Sequence, residues 1–220
     1  MNTTDKIKKF LVLGILFLLP ITAYIFFASG VNNFGRLPIL THSVSEIYQF
    51  KTLNGSQIVL QDRITVLGFF GKDVRSSHAN AFNLGHKIYK KNYKFDDFQF
   101  VILMPEGTED DVKLLKIKLA EIEDPQNWNF VYGADEAIQN VFNSLQTNYS
   151  LDANLSTPYV FIIDKDRNLR GRDDDEDEGI LYGFDARNYS EINNKMGDDI
   201  KVILAEYRLA LKKYNSKREI

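Results

Sequence analysis

The chain has 220 residues, 44% of them hydrophobic and 26% charged, with a formal net charge of −3. That length and apolar content support one domain with a real core plus an appendage, and the weak negative charge gives no electrostatic case for a nucleic-acid partner. There is no cysteine, which excludes a disulfide framework, a thiolate zinc site, an iron–sulfur cluster and any dithiol mechanism.

The appendage comes first. FLVLGILFLLPITAYIFFA, Phe10 to Ala28, contains no charged residue; as a helix it would cover about 28 Å, close to the thickness of a bilayer core. Lys6, Lys8 and Lys9 precede it, and no charge follows until Arg36. The positive-inside rule therefore places residues 1–9 in the cytoplasm and everything after residue 30 across the membrane. A cleaved signal peptide is the rival reading, with Ala28-Ser29-Gly30 as a small-residue cleavage site. The apolar run exceeds the usual signal core of roughly 7–15 residues, which favours a retained transmembrane helix over 10–28. Pro20 would kink such a helix without forbidding it.

Residues 29–52 read as a linker and irregular lead-in, with Gly35 and Pro38 and few long apolar runs, and the domain proper is expected over 53–220. LNGSQIVL (Leu53–Leu60) predicts a turn followed by a short strand. ITVLGFFG (Ile64–Gly71) is apolar throughout, the pattern of a central strand covered on both faces. From Ser76 to Lys90 the spacing predicts a helix with His78, Ala81, Phe82, Gly85, Ile88 and Tyr89 inward. FQFVILM (Phe98–Met104) is a second buried strand. Thr108 with Asp111 suggests a capping box ahead of the stripe Val112, Leu115, Leu119, Ile122. NWNFVYG (Asn127–Gly133) is a short strand, and a helix from Asp135 turns Ile138, Val141, Phe142 and Leu145 to the core. YVFIID (Tyr159–Asp164) is another buried strand, and KDRN leads into LRGR as a hairpin. A long helix over Ser190–Tyr214 closes the chain, with Ile192, Met196, Ile200, Ile203, Tyr207 and Leu211 on one face. Met104 and Met196 sit in apolar runs and are expected in the core.

Strands alternating with helices, β-α-β-α-β-α-β-β-α, require right-handed crossovers and a mostly parallel sheet with an antiparallel edge. Thr157-Pro158 stands directly before YVFIID, where a proline gives up no ladder bond. This order and that proline match the ground plan of thioredoxin-like folds, which hold a cis-proline there facing a helix start that carries cysteines. The expected architecture is therefore α/β, a thioredoxin-like central mixed sheet flanked by helices and preceded by one N-terminal transmembrane helix. Over about residues 37–205 the chain resembles the Sco/SenC family, membrane-anchored thioredoxin-fold proteins implicated in building the copper centre of respiratory oxidases. The likeness lies in the single anchor, LNGSQIVLQDRITVLGFF, MPEGTEDDV, NWNFVYG and FIIDKDRNLRGR.

The departures decide what the resemblance can imply. That family binds copper through two cysteines after the first central strand and a distant histidine near the proline. The matching positions here are Asp73 and Ser77, with Ser156 or Thr157 in the place of the histidine. Asp and Ser offer Cu(I) no soft donor and cannot cycle between dithiol and disulfide. Copper carriage and thiol reduction do not carry over, no catalytic residue is transferred, and no cofactor is expected.

His78, one residue beyond the second vacant position, is a weak candidate for a metal ligand or general base together with Asp73; the plain alternative is a helix-start histidine satisfied by backbone or Asp73. RGRDDDEDEG (Arg170–Gly179) fails the spacing of a calcium loop and reads as an exposed, solvated charge run, with cation or basic-partner binding as the lesser reading.

The function expected is a redox-inactive binding or assembly factor tethered to a bacterial inner membrane, its domain in the periplasm. Its contact surface would be the groove between Lys72, Asp73, Arg75 and Ser77 and the facing Thr157-Pro158, where exposed backbone could pair with an extended peptide. Respiratory-chain assembly components are the partners the family resemblance implies. A metal carrier or enzyme using Asp73 and His78, and a structural subunit of a membrane complex, are the alternatives.

Overall fold

The computed structural model describes residues 3–29 and 36–218. The chain divides into two compact units, residues 1–35 and 36–220. In the first, helix α1 runs from Thr3 to Ser29 with Pro20 inside it. Among the described residues no helix is long and apolar enough to cross a membrane. The side chains described along α1 are those of Lys8 and residues 12–24, so both ends of the expected 10–28 span lie outside them.

The second unit is built on one sheet of β1 (Ile39–Thr41), β2 (Ile64–Phe69), β3 (Phe98–Pro105), β4 (Trp128–Gly133), β5 (Tyr159–Ile163), β6 (Leu169–Arg170) and β9 (Phe184–Asp185). The strand order is β1-β6-β5-β2-β3-β4, with β9 pairing β5. β2, β3 and β4 are parallel, and β5 is antiparallel to β2. The parallel trio follows from its connections, because a helix must carry the chain back across the sheet between each pair. The hairpin expected after β5 is present as β5–β6, and β1 adds a further antiparallel edge.

Helices cover both faces. Residues 74–92 form one helix, α2, with a 3-10 start at Val74–Ser77 and a π turn at Gly85–Tyr89. Then come α3 (Glu109–Ala120), α4 (Asp135–Ser144) and α5 over residues 189–218, which carries a π turn at Ile192–Met196. Alternation along the strands sorts the side chains into two cores. Val66, Phe100, Ile102, Trp128 and Ile162 pack with Ile88, Leu115, Leu119, Met196 and Ile200 from α2, α3 and α5. Leu67, Phe69, Val101, Leu103, Val131 and Phe161 pack on the other face with Ile138, Val141 and Phe142 from α4. Each fully buried Leu, Ile or Phe contributes roughly 1.5–3 kcal/mol, so the sheet is held from both sides. Met104 and Met196 are both fully buried in the first core. The expected inward face of the last helix holds through Ile203 and Tyr207, while the Leu211 side chain lies outside the described residues.

Three sequence expectations about local structure fail here. Leu53–Leu60 makes its turn but no strand. Glu46 instead takes the Leu60 and Gln61 N–H groups at 2.8 and 3.0 Å, so a side chain does the work of a ladder. Residues 36–52, read as linker and irregular lead-in, belong to the folded unit and supply β1 and the buried Val44, Ile47 and Phe50. Thr108 precedes α3 without capping it, because its hydroxyl donates back to Pro105 O at 2.8 Å.

The acidic run is also more than a solvated loop. It forms a hairpin of β7 (Arg172–Asp175) and β8 (Gly179–Leu181). Asp173, Asp174 and Glu176 are exposed as expected, but Asp175 is buried, accepting from Lys195 Nζ at 2.7 Å and from the Asp177 N–H at 3.1 Å. Burial pulls the Asp175 carboxyl upward, and these donors outweigh it and hold it below the usual carboxylate range. Beside it, Arg172 pairs with Asp199 at 2.8 Å.

At the other end of β6, Arg170 is buried and fully committed. It donates to Leu37 O through Nε at 2.8 Å, to Asp164 at 3.1 Å and to Glu206 at 2.8 Å.

Candidate functional site

The loop leaving β2 and the segment entering β5 meet, as the sequence order predicts. Phe70 bridges Ser156 in antiparallel fashion, Thr157 N donates to Phe69 O at 3.1 Å, and Lys72 N donates to Asn154 O at 2.9 Å. Gly71 makes the approach possible. Its φ is +68°, and a Cβ there would stand 2.5 Å from Asn154 O and 2.7 Å from the Ser156 Cβ. On the opposite side Asp152 shapes the loop, its Oδ1 accepting from the Asn154 and Ser156 N–H groups at 2.8 Å each.

The proline differs from expectation. Among the described residues there is no cis peptide bond, so Thr157–Pro158 is trans. The β2–β5 ladder ends at the Leu67–Phe161 pair, and contact resumes as an isolated bridge between Phe70 and Ser156, two residues out of that register. Two backbone groups of the expected pairing edge are engaged: Thr157 N is bonded to Phe69 O, and Pro158 O accepts from Ala186 N at 2.9 Å. An incoming peptide strand would find neither of these two groups free.

The side chains of the turn are also engaged. Ser77, at the start of α2, is buried and donates to Phe70 O at 3.3 Å. Asp73 is exposed, and its carbonyl accepts from Ser76 Oγ at 2.7 Å. Lys72 pairs with Asp135 of α4 at 2.6 Å, and Arg75 with Asp111 of α3 at 3.4 Å. The two cations of the turn thus already have carboxylate partners. All four side chains are at least 42% exposed. Such pairs are worth at most about 1 kcal/mol each and exchange readily.

His78 follows Ser77 on α2. Its Nε2 is buried and has no hydrogen-bond partner, so neither backbone nor Asp73 satisfies that atom. Its ring centroid is 6.3 Å from that of Phe82. Desolvation, then the charges of Lys118 and Arg75, lower its pKa below the ordinary 6.5, which keeps the ring neutral at pH 7. Among the described residues no three His, Cys, Asp or Glu side chains converge on a point fit for a metal ion. His42 lies elsewhere, its Nδ1 3.3 Å from Asn168 Oδ1.

Sequence reasoning missed two features. One is the pairing of Lys72 and Arg75 with residues 63 and 36 positions along the chain, which no local pattern reveals. The other is the outer edge of β4, where a cavity of about 480 Å³ opens between α3 and residues 52–58; the short strand NWNFVYG was legible, its place at the sheet edge was not.

No protein-family model matches the chain, and no curated protein matches it. Solved structures do. A protein of proposed electron-transfer role from Aquifex aeolicus VF5 is 14% identical and superposes with a TM-score of 0.52, over 76% of this chain and 98% of that one. A proposed protein disulfide isomerase from Bacteroides thetaiotaomicron is 14% identical with a TM-score of 0.51, over 77% of this chain and 94% of that one. ScoI of Bradyrhizobium japonicum with copper bound is 16% identical with a TM-score of 0.44, over 72% of this chain and 98% of that one, too distant to place the chain in that family. At these identities the likeness shows the fold alone, which is thioredoxin-like.

Proposed function

We propose that this chain is a redox-inactive thioredoxin-fold protein that works by holding a protein partner, a membrane-tethered assembly factor in the manner the Sco/SenC resemblance implies. One observation carries the reading. At the place where redox members of this fold keep their sulfur, the chain has Asp73 and Ser77, the Ser77 hydroxyl is committed to Phe70 O, and the facing segment is bonded back onto residues 69–72. Such a seam has no thiolate for Cu(I) and no dithiol to cycle. What it keeps is a rigid surface edged by Lys72, Asp73 and Arg75, with Ser77, Thr157 and Pro158 bracing it from below.

In this reading partner contact runs through side chains, with a partner's carboxylates exchanging for Asp135 and Asp111. The uncharged run from Phe10 to Ala28 is the tether, with residues 1–9 cytoplasmic and the folded unit in the periplasm of a bacterial inner membrane. Respiratory-complex assembly components are the partner class by analogy of fold, an associational ground. The unpartnered Nε2 of His78 supports a second reading, a metal carrier or enzyme using His78 and Asp73.

The test uses the full-length chain in mild detergent. A protein co-purifying in fixed stoichiometry, and lost when Lys72→Glu and Arg75→Glu are combined in a variant with unchanged circular dichroism, is the expected result. Cu(I), Cu(II), Zn(II) and Ca(II) are added to the same preparation and followed by calorimetry. Micromolar affinity abolished by His78→Ala would overturn the binding-factor reading in favour of the metal site.

A further inference from the structure

We infer that the outer edge of β4 and the cavity beside it form a docking site for an extended acidic peptide, which joins the sheet as an added strand. Tyr132 fixes the geometry. Its N–H donates to Lys51 O at 2.9 Å and its C=O accepts from Lys51 N at 3.2 Å, so both groups point away from β3. Backbone groups of a parallel-paired strand alternate sides with a period of two, so those of Phe130 and Trp128 point to the same outer edge. Outside the β3–β4 ladder, nothing among the described residues hydrogen-bonds the Phe130 N–H, the Phe130 C=O or the Trp128 C=O.

The segment that covers Tyr132 leaves the edge at once. Thr52 N donates to Ser56 O at 3.0 Å and Gly55 N to Thr52 O at 2.9 Å, closing a turn that carries the chain away. The line begun by Lys51 stops there, and the strip opposite Phe130 and Trp128 stays open.

The cavity of about 480 Å³ occupies that strip, walled by Val112, Lys113 and Lys116 of α3 and by Leu53, Asn54 and Ile58 across from them. Its charged lining is those two lysines, with no carboxylate. Lys113 shares its ammonium with Asp110 at 2.7 Å, whereas exposed Lys116 makes no ion pair among the described residues.

A strand laid along this edge alternates its side chains. One set faces the lysines of α3, where carboxylates are favoured; the other faces Leu53 and Ile58, where short apolar groups fit. The ligand class is therefore an extended segment of alternating acidic and apolar residues, held by main-chain bonds and selected by charge. The site shares no residue with the 72–77 turn and does not depend on the function proposed for it.

Trp128 is the only tryptophan, 1% exposed and in the cavity wall, so its emission reports occupancy. The full-length chain in mild detergent is titrated with end-capped peptides of about ten residues: alternating Glu and Val, alternating Lys and Val, and the Glu/Val peptide N-methylated either at every Glu or at every Val. Saturable binding of the Glu/Val peptide is expected. It should weaken at least about tenfold in the Lys113→Glu, Lys116→Glu variant and in one of the two N-methylated peptides, and the Lys/Val peptide should not bind. Equal binding of the acidic and basic peptides, or indifference to both methylation patterns, would overturn the proposal. So would no binding up to millimolar peptide, since the lysines then only guard a sheet edge against self-association.

Discussion

The seam between residues 69–72 and 154–157 and the outer edge of β4 are both places where a ladder of the sheet runs out, and they end differently. At the seam the chain answers itself: Phe69 O, Thr157 N, Lys72 N and Asn154 O are all paired, and Gly71 lets the two backbones touch. At β4 only Tyr132 is answered, by Lys51, and the groups beyond it face a cavity. The first is closed by its own backbone bonds, and the second keeps backbone groups without a partner. A buried or half-buried polar group without a partner is where a ligand gains most, so the site a fold inherits and the site a chain leaves open need not coincide.

The strongest way to break this contrast is to pry the seam apart. Gly71→Val would force a side chain against Asn154 and Ser156 at a φ of +68°, with an expected loss of about 2–4 kcal/mol in urea unfolding. Gly107→Val, at φ +91° with nothing within 4 Å, carries only the backbone penalty of about 1 kcal/mol. Equal losses would show that the seam is not tight.

The edge is tested by amide hydrogen exchange. The Phe130 N–H should exchange at least about tenfold faster than those of Val131, bonded toward β3, and Tyr132, bonded to Lys51. Equal protection across the three would close the edge and remove the contrast.

A smaller effect is expected from Ser77→Ala, which removes the hydroxyl bonded to Phe70 O at 3.3 Å. About 1 kcal/mol should be lost from thermal or denaturant stability, and a neutral result would mean that the turn is held by backbone alone.

The smallest concerns His78. Its folded pKa lies below 6.5, so as pH falls the unfolded chain takes up the proton first. Stability is lost as pH drops through 6.5 and stops being lost below the folded value. In His78→Leu the decline in melting temperature from pH 7.5 to pH 5.5 should be shallower than in the unsubstituted chain; parallel declines would show that the ring is not sequestered.

Much of the fold was legible because burial on both faces leaves a plain mark. ITVLGF, FQFVILM and YVFII contain almost no polar residue, and they became the three longest inner strands, β2, β3 and β5. The expected stripes of α3 and α4 likewise reached the core. What failed was local pattern overridden by distant partners. Residues 57–60 resemble a strand, yet Glu46 captures their end. Three residues between Pro38 and His42 are too few to announce β1. Asp175 looks like one carboxylate among six until Lys195 is placed beside it. The order of the strands foretold that the turn after β2 meets residues 154–157, but sequence could show neither that Asp135 and Asp111 hold its two cations nor that the prolyl bond is trans.

Arg170 has a mechanical consequence. Through Leu37 O, Asp164 and Glu206 one guanidinium fastens the first stretch of the folded unit, a turn of the sheet and the last helix to a single point. Tension arriving along the chain from residue 36 would load this knot and the short β1–β6 ladder before β5, β2 or β3 felt it. The domain can therefore be tugged by its leading end while the seam and the open edge, both farther along the chain, keep their shape.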